Sequence, residues 1–115
     1  MKFYKNKDTK ECIILKDDDT IPTGYIEVRA GEVDAALEKH VPVVEKSNDK
    51  IIVSVGSVEH PMTEEHYIMW IAVIDGDDII KKDLNPTDKP VVEFEHTMGE
   101  VYAYCNLHGL WKSSI

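Results

Sequence analysis

An apolar run from Tyr67 to Ile74 is the feature that most restricts the folds available to this chain. Both alternating faces of the run are apolar, which is typical of a strand at the centre of a sandwich. Asp75-Gly76 follows directly and is a strong signal for a tight hairpin. The run is far too short to cross a bilayer. The sequence therefore predicts a central strand of a β-sandwich.

Other short stretches with β-branched or aromatic residues recur from residue 25 onward, and turn residues separate them. With the central strand they make about seven, at residues 25–28, 41–45, 50–55, 67–74, 79–82, 91–95 and 100–105. Such spacing with almost no helix predicts an all-β fold, an antiparallel β-sandwich.

One short helix is expected ahead of the second of these strands. Residues 31–38 contain helix formers with their acidic residues early, which predicts about two turns. Pro42 disfavours helical geometry in the residue before it, so His40 and Val41 are expected on an extended loop or an edge strand.

Composition bounds the class of protein. The chain has 115 residues, 43% of them hydrophobic and 30% charged, which fits one ordinary globular domain. A formal net charge of −9 argues against nucleic acid or an anionic membrane as the main partner. Two cysteines and an N-terminus without an apolar signal core lead us to expect a soluble cytoplasmic protein.

Metal-binding residue types gather in the turns beside the predicted strands. Cys105 and His108 stand three residues apart after a strand, and Gly109 allows the sharp turn that would face both side chains to one point. His40, His60 and His66 also lie in turns or loops next to strands. A thiolate with imidazoles suits iron, copper or zinc better than calcium or magnesium. Loops at one end of a sandwich could bring all five donors together.

The number of donors helps to choose among the metals. Structural zinc takes four ligands, and blue copper takes two histidines, one cysteine and a weak axial methionine. Five strong donors therefore favour iron, and no methionine follows His108, where Leu110 and Trp111 stand. Two alternatives stay open at this point: a cupredoxin-like electron carrier, and a sandwich whose zinc is purely structural.

Three motifs together resemble one known family. They are Glu38-Lys39-His40-Val41-Pro42-Val43, Gly56-x3-His60-Pro61-Met62-x3-His66-Tyr67-Ile68 and Cys105-Asn106-x-His108-Gly109-x-Trp111. The chain is similar, over about residues 33 to 112, to superoxide reductase, the desulfoferrodoxin and neelaredoxin family. This resemblance implies an immunoglobulin-like sandwich that holds one mononuclear non-haem iron per chain. It implies five iron ligands, His40, His60, His66, Cys105 and His108.

The resemblance also implies atomic detail at this iron. His108 would bind through Nδ1 and the other three histidines through Nε2. The backbone amides of Leu107 and His108 would donate hydrogen bonds to the Cys105 sulfur.

The activity implied by the resemblance is the one-electron reduction of superoxide to hydrogen peroxide, a detoxification of reactive oxygen. Lys39 would attract the superoxide anion, and Glu38 would bind the iron in its oxidised form. A rubredoxin-like protein would supply the electrons, and a homo-oligomer, dimer or tetramer, is expected.

The N-terminal region departs from the pattern of the two-iron members, which carry four cysteines around a second iron. Here that region contains only Cys12. We therefore expect residues 1–31 to be an extension without a second iron site, kept as a cluster of short strands that serves subunit contact. Residues 32–115 are expected to form the iron-binding sandwich domain.

Overall fold

A computed structural model describes all 115 residues. The chain forms ten strands and one short helix, α1. Their bounds are β1 Lys2–Asn6, β2 Cys12–Leu15, β3 Tyr25–Val28, α1 Leu37–His40, β4 Pro42–Ser47, β5 Lys50–Val55, β6 Ile68–Asp75, β7 Asp78–Asp83, β8 Val91–Phe94, β9 Glu100–Cys105 and β10 Gly109–Ser114.

The strands form three antiparallel sheets. We call β2-β1-β3 the N-terminal sheet, β10-β9-β6-β7 the middle sheet and β4-β5-β8 the outer sheet. The middle and outer sheets contain seven strands and enclose the main core, so the prediction of an antiparallel all-β fold is confirmed. The only helix, at four residues, is far from the length and apolar character that a bilayer crossing requires.

The main core lies between the outer and middle sheets. Alternate residues of β5 and β9 point into it, because successive side chains of a strand face opposite sides of a sheet. Its fully buried members include Ile51, Val53, Val101 and Ala103. Cys105 lies at the end of this row and belongs to the same core. The packing that holds the sandwich together therefore also fixes the position of the cysteine.

A second core lies on the opposite face of the middle sheet. Phe3 of the N-terminal sheet stacks on Trp70, with ring centroids 6.3 Å apart, and Trp70 stacks on Tyr104 at 5.8 Å. Cys12 and Leu110 complete this cluster and are almost fully buried. One face of the N-terminal sheet is thus covered by the chain's own sandwich.

The position of strand β6 between the two cores explains why the central apolar run has no polar face. Ile71 and Val73 point into the main core, whereas Trp70 and Ala72 point into the second core. The predicted central strand is therefore covered on both sides. A bulge near Met69 interrupts its pairing with β9.

The predicted helix over residues 31–38 is wrong in place and length. The structure has a single turn at Leu37–His40, preceded by Ala36 in extended geometry. The Gly31 amide donates to the carbonyl oxygen of Leu110, which ties this segment to β10. A helix so short is marginal in water, and this tertiary contact outweighs the helix propensity of the segment.

Three further details also differ from the sequence-based expectation. His40 is the last residue of α1, not part of an extended loop, since Pro42 restricts only Val41, which is extended at φ −70° and ψ 122°. The last strand, β10, was not predicted, although Leu110 and Trp111 are buried in it. Strand β3 pairs with β1 and lies outside the sandwich.

Strand pairing places several strand ends at one end of the sandwich. Pro42, two residues after the end of α1, pairs with Val55 at the end of β5. Ile68, at the start of β6, pairs with Cys105 at the end of β9. The residues that precede or follow these strand ends therefore meet at one edge of the fold.

Candidate metal centre

Helix α1 and the loop after β5 are fixed to each other beside this edge. The carbonyl oxygen of Glu38 accepts hydrogen bonds from the amide of Val58, at 2.8 Å, and from the Ser57 hydroxyl. A Cβ on Gly56 would lie only 2.6 Å from the same oxygen, so this close approach requires glycine. These contacts hold the loop that carries His60 against the helix that carries His40.

Four imidazole rings form a closed square at this edge. Neighbouring ring centroids lie 4.7 to 4.9 Å apart and neighbouring planes are nearly perpendicular, at 79° to 87°. One diagonal, from His40 to His66, measures 6.3 Å. In order around the square the rings are His40, His60, His66 and His108. The structure thus brings together the four histidines singled out in the sequence.

Hydrogen bonds determine which nitrogen of two rings faces inward. His40 Nδ1 lies 2.7 Å from the carbonyl oxygen of Ala36, and His60 Nδ1 lies 2.7 Å from that of Pro61. A carbonyl oxygen only accepts, so each Nδ1 carries the proton and each Nε2 is a lone-pair acceptor. These two Nε2 atoms lie 3.3 Å apart. Two lone pairs that face each other at this distance repel, and a positive charge between them would remove the repulsion.

His108 presents its other nitrogen. Its Nδ1 lies 3.1 Å from His40 Nε2. The His108 amide donates to the Cys105 sulfur at 3.4 Å, and the Leu107 amide also points at this sulfur. Gly109, at φ +79°, provides the turn that folds this loop back onto itself.

Donor atoms of His40, His66, Cys105 and His108 all lie within 4.8 Å of one another. His60 stands outside that group, but its Nε2 faces the Nε2 of His40. The five residues predicted as ligands therefore converge on one region, in which Cys105 is fully buried.

Burial favours the neutral forms of His40, His60, His66 and the Cys105 thiol when no metal is bound. Loss of solvation lowers the pKa of His40 and His66, and it lowers the pKa of His60 to about 4. Burial likewise raises the pKa of the Cys105 thiol, while the His108 and Leu107 amides act in the opposite direction. A metal binds the neutral form of an imidazole and the thiolate form of a cysteine, and amide hydrogen bonds to the sulfur favour the thiolate.

One buried nitrogen without a hydrogen-bond partner tests whether a metal fits here. His66 Nε2 is buried and has no hydrogen-bond partner. Such atoms are rare in folded proteins and indicate an absent partner. Several imidazole nitrogens beside a thiol form a donor set suited to iron, zinc or copper. The residues present therefore fit a metal ion of this class.

Glu38 and Lys39 are both exposed and precede His40 on α1. Neither side chain forms an ion pair. The positive charge of Lys39 acts on both His40 and His66, lowering the pKa of each, whereas the charge of Glu38 raises the pKa of His40. The lysine charge is thus unpaired, and its effect on the pKa of these two imidazoles is smaller than that of burial.

Two further residues support the cluster, and sequence reasoning gave them no role. Trp111 packs on the His40 ring at 5.2 Å and donates from its indole nitrogen to the carbonyl oxygen of His108. Asn106 forms hydrogen bonds to both neighbours of His66. Their positions in the third motif, next to Cys105 and His108, are the signal that could have identified them.

His96, the one histidine outside the recognised motifs, lies elsewhere. Its Nε2 is 3.2 Å from a carboxylate oxygen of Asp75, the last residue of β6. Asp75 is at the opposite end of β6 from His66, so His96 does not contribute to the imidazole cluster.

Comparison with known proteins agrees with this arrangement. The family model described as Desulfoferrodoxin matches residues 32–114. The desulfoferrodoxin of Clostridium acetobutylicum is 55% identical over 87 residues, which cover 75% of this chain and 70% of that protein. The superoxide reductase of Thermococcus kodakarensis is 38% identical over 99 residues, covering 68% of this chain and 86% of that protein.

A solved structure extends the similarity into the N-terminal sheet. The crystal structure of the superoxide reductase from Treponema pallidum superposes with a TM-score of 0.79 at 36% identity. The match covers 96% of this chain and 98% of that one, so it includes the N-terminal sheet as well as the sandwich. The chain belongs to the desulfoferrodoxin family.

Proposed function

We propose that this chain is a superoxide reductase, with a mononuclear iron held by His40, His60, His66, His108 and Cys105. The observation that carries the proposal is the meeting of four imidazoles and one thiol at a single end of the sandwich. The names of the relatives and of the matching solved structures support the same activity.

The overall reaction balances simply. Superoxide gains one electron and two protons and leaves as hydrogen peroxide. Iron in this site would supply the electron, since it alternates between two oxidation states at physiological potentials whereas zinc has no redox chemistry. Protons would come from solvent, which reaches the partly exposed His66 and His108.

The residues of the chain account for the recognition of the substrate. Lys39 is exposed, unpaired and electrostatically coupled to His40 and His66, so it would attract the superoxide anion toward the cluster. The Cys105 thiolate would be stabilised by the amides of Leu107 and His108 and would help the metal to donate electrons. Glu38 offers a carboxylate that would bind the metal in its oxidised form.

The cellular setting follows as part of the same proposal. Each turnover consumes one electron, and the chain offers one donor cluster of this kind, so an external donor is required. A rubredoxin-like protein would fill this role in the cytoplasm.

Residues 1–31 would be an extension without a second iron, because their single cysteine, Cys12, lies in an apolar cluster. A homo-oligomer, dimer or tetramer, is proposed on the family resemblance alone.

The two alternative functions are not favoured. A blue copper site needs a methionine near the last histidine, and this chain has Leu110 and Trp111 there. A purely structural zinc would not use a fifth donor. The relatives and solved structures carry the names of desulfoferrodoxins and superoxide reductases.

The stoichiometry of the reaction tests the proposal. The iron-loaded, reduced protein is mixed with limiting superoxide, and peroxide and oxygen are both measured. We expect one peroxide per superoxide consumed and no oxygen released by the enzyme. Sustained turnover without reductant, with release of oxygen, would show a dismutase and contradict the proposal. A colourless zinc protein without activity would support the structural alternative.

A further inference from the structure

The four imidazoles of the cluster are not oriented in the same way. The rings of His40 and His60 are each fixed by a hydrogen bond from Nδ1 to a backbone carbonyl oxygen, at 2.7 Å in both cases. His66 has no such bond on either ring nitrogen, and its Nε2 is buried without a partner. Hydrogen bonds can therefore position this ring only through the backbone of its loop.

Asn106 holds the backbone on both sides of His66. Its Oδ1 accepts a hydrogen bond from the Tyr67 amide at 3.0 Å, and its Nδ2 donates to the carbonyl oxygen of Glu65 at 3.0 Å. An amide N–H only donates and a carbonyl oxygen only accepts, so these two partners fix the orientation of the asparagine side chain. The Asn106 amide also donates to the carbonyl oxygen of Tyr67.

These contacts connect two otherwise separate loops. Every hydrogen bond between residues 61–67 and residues 105–108 involves Asn106. The turn from Thr63 to His66 is held by hydrogen bonds within its own loop, and these do not fix its distance from Cys105. Apart from the pairing of Ile68 with Cys105 and the backbone bond from the Asn106 amide, the relative position of His66 and the cysteine loop thus depends on the Asn106 side chain.

The geometry points to Asn106 as a positioning residue that sets His66 against Cys105 and His108 for metal binding. The Ala36 and Pro61 carbonyl oxygens orient the rings of His40 and His60 directly. Asn106 orients His66 indirectly, through the backbone on both sides of it. Partners that orient metal ligands contribute strongly to affinity, since their loss typically costs about 10- to 100-fold. This inference rests on the metal site of the proposed function.

Binding of Co²⁺ to the metal-free protein tests it, because the visible spectrum of bound Co²⁺ reports on thiolate and imidazole ligands without any activity. The affinity is measured in competition with a chelator. Asn106→Ala is expected to weaken Co²⁺ binding by about 10- to 100-fold and to alter the spectrum. Asn106→Asp keeps the acceptor for the Tyr67 amide but loses the donor to the Glu65 carbonyl oxygen. It replaces the alanine variant in this experiment if that variant does not fold.

Asn6→Ala is the matched control. The Asn6 side chain also accepts two backbone hydrogen bonds, from Asp8 at 2.8 Å and Thr9 at 3.0 Å, but it belongs to the N-terminal sheet. This variant should lose stability and keep both the affinity for Co²⁺ and its spectrum.

A double-mutant cycle with His66→Ala identifies the residue through which Asn106 acts. We expect Asn106→Ala to cause no further loss of affinity in the His66→Ala protein. An equal loss in both backgrounds would overturn the inference, as would unchanged Co²⁺ binding by the Asn106 variants. If the unmodified protein bound no metal, the proposed site itself would fail and this inference with it.

Discussion

The Nε2 atoms of His40 and His60 face each other at 3.3 Å, and neither carries a proton. Each ring already donates its one proton to a backbone carbonyl oxygen, so the close pair of lone pairs is built into the fold. A metal ion relieves their repulsion, and so does a proton. The two compete for the same atoms, which makes the site sensitive to pH.

We expect the metal-free protein to lose stability as the pH falls below about 6.5. The pKa of His60 is lowered to about 4 in the folded state, so the unfolded chain binds more protons in the interval between these values. Stability must then decrease toward acid pH, by at most about 1.4 kcal/mol per pH unit for this residue. Chemical denaturation at several pH values measures the slope.

His60→Gln should make this slope shallower, because it removes the titrating group. His96→Gln is the control, since His96 lies outside the cluster beside Asp75. Equal slopes for the unmodified protein and the His60 variant would show that burial of His60 does not control the response.

The two cysteines should behave differently on substitution. Cys105→Ser should abolish the thiolate charge-transfer band of the iron protein, because it replaces the one thiol in the donor cluster. Cys12→Ser should keep the iron and the band. Burial raises the pKa of Cys12 to about 12, so this thiol stays neutral inside the second core. Metal analysis and visible spectra of both variants check the prediction.

Much of the sandwich could be predicted because its signals are local. The run from Tyr67 to Ile74 is apolar on both faces, and the structure covers it on both sides. The identity of the covering layer could not be predicted. The contacts of Phe3 with Trp70, and of Trp70 with Tyr104, join residues distant in sequence, and no local pattern specifies such pairings.

In the candidate site, too, some features could be predicted from the sequence and others could not. Its donor residues stand out by type and by their place beside strands. The partners that orient the rings are backbone carbonyl oxygens of Ala36 and Pro61, and any residue type could supply these. The position of His40 at a helix end also depends on a tertiary contact of the preceding segment, which sequence propensity does not contain.

The N-terminal sheet should contribute to the stability of the sandwich. Phe3 is only 6% exposed and packs against Trp70 and Tyr102, so Phe3→Ala leaves a cavity in the second core. We expect a loss of about 3 kcal/mol in the free energy of unfolding, with the metal content unchanged. Ile26→Ala, in the same sheet but 41% exposed, should cost less than about 1 kcal/mol. Similar losses for both variants would show that the sheet does not depend on this contact.

The last prediction concerns the attraction of superoxide, because the net charge of −9 repels an anion. Charges farther than about 8 to 10 Å are largely screened at ordinary salt, so a lysine close to the cluster controls the final approach. Lys39 is exposed, forms no ion pair and acts electrostatically on His40 and His66. Lys39→Ala should therefore slow the bimolecular reaction with superoxide by roughly two- to tenfold. The iron content should not change.

Lys46→Ala separates this local effect from the change in total charge. Lys46 is exposed on β4, where it pairs with Ile51 near the start of β5, away from the end that meets the cluster. Both substitutions remove one positive charge, so an effect of net charge would slow both variants equally. A local effect slows only the Lys39 variant, and the difference should shrink as the ionic strength rises. Pulse-radiolysis rates over a range of salt concentrations measure both quantities, and equal rates for the two variants would reject a steering role for Lys39.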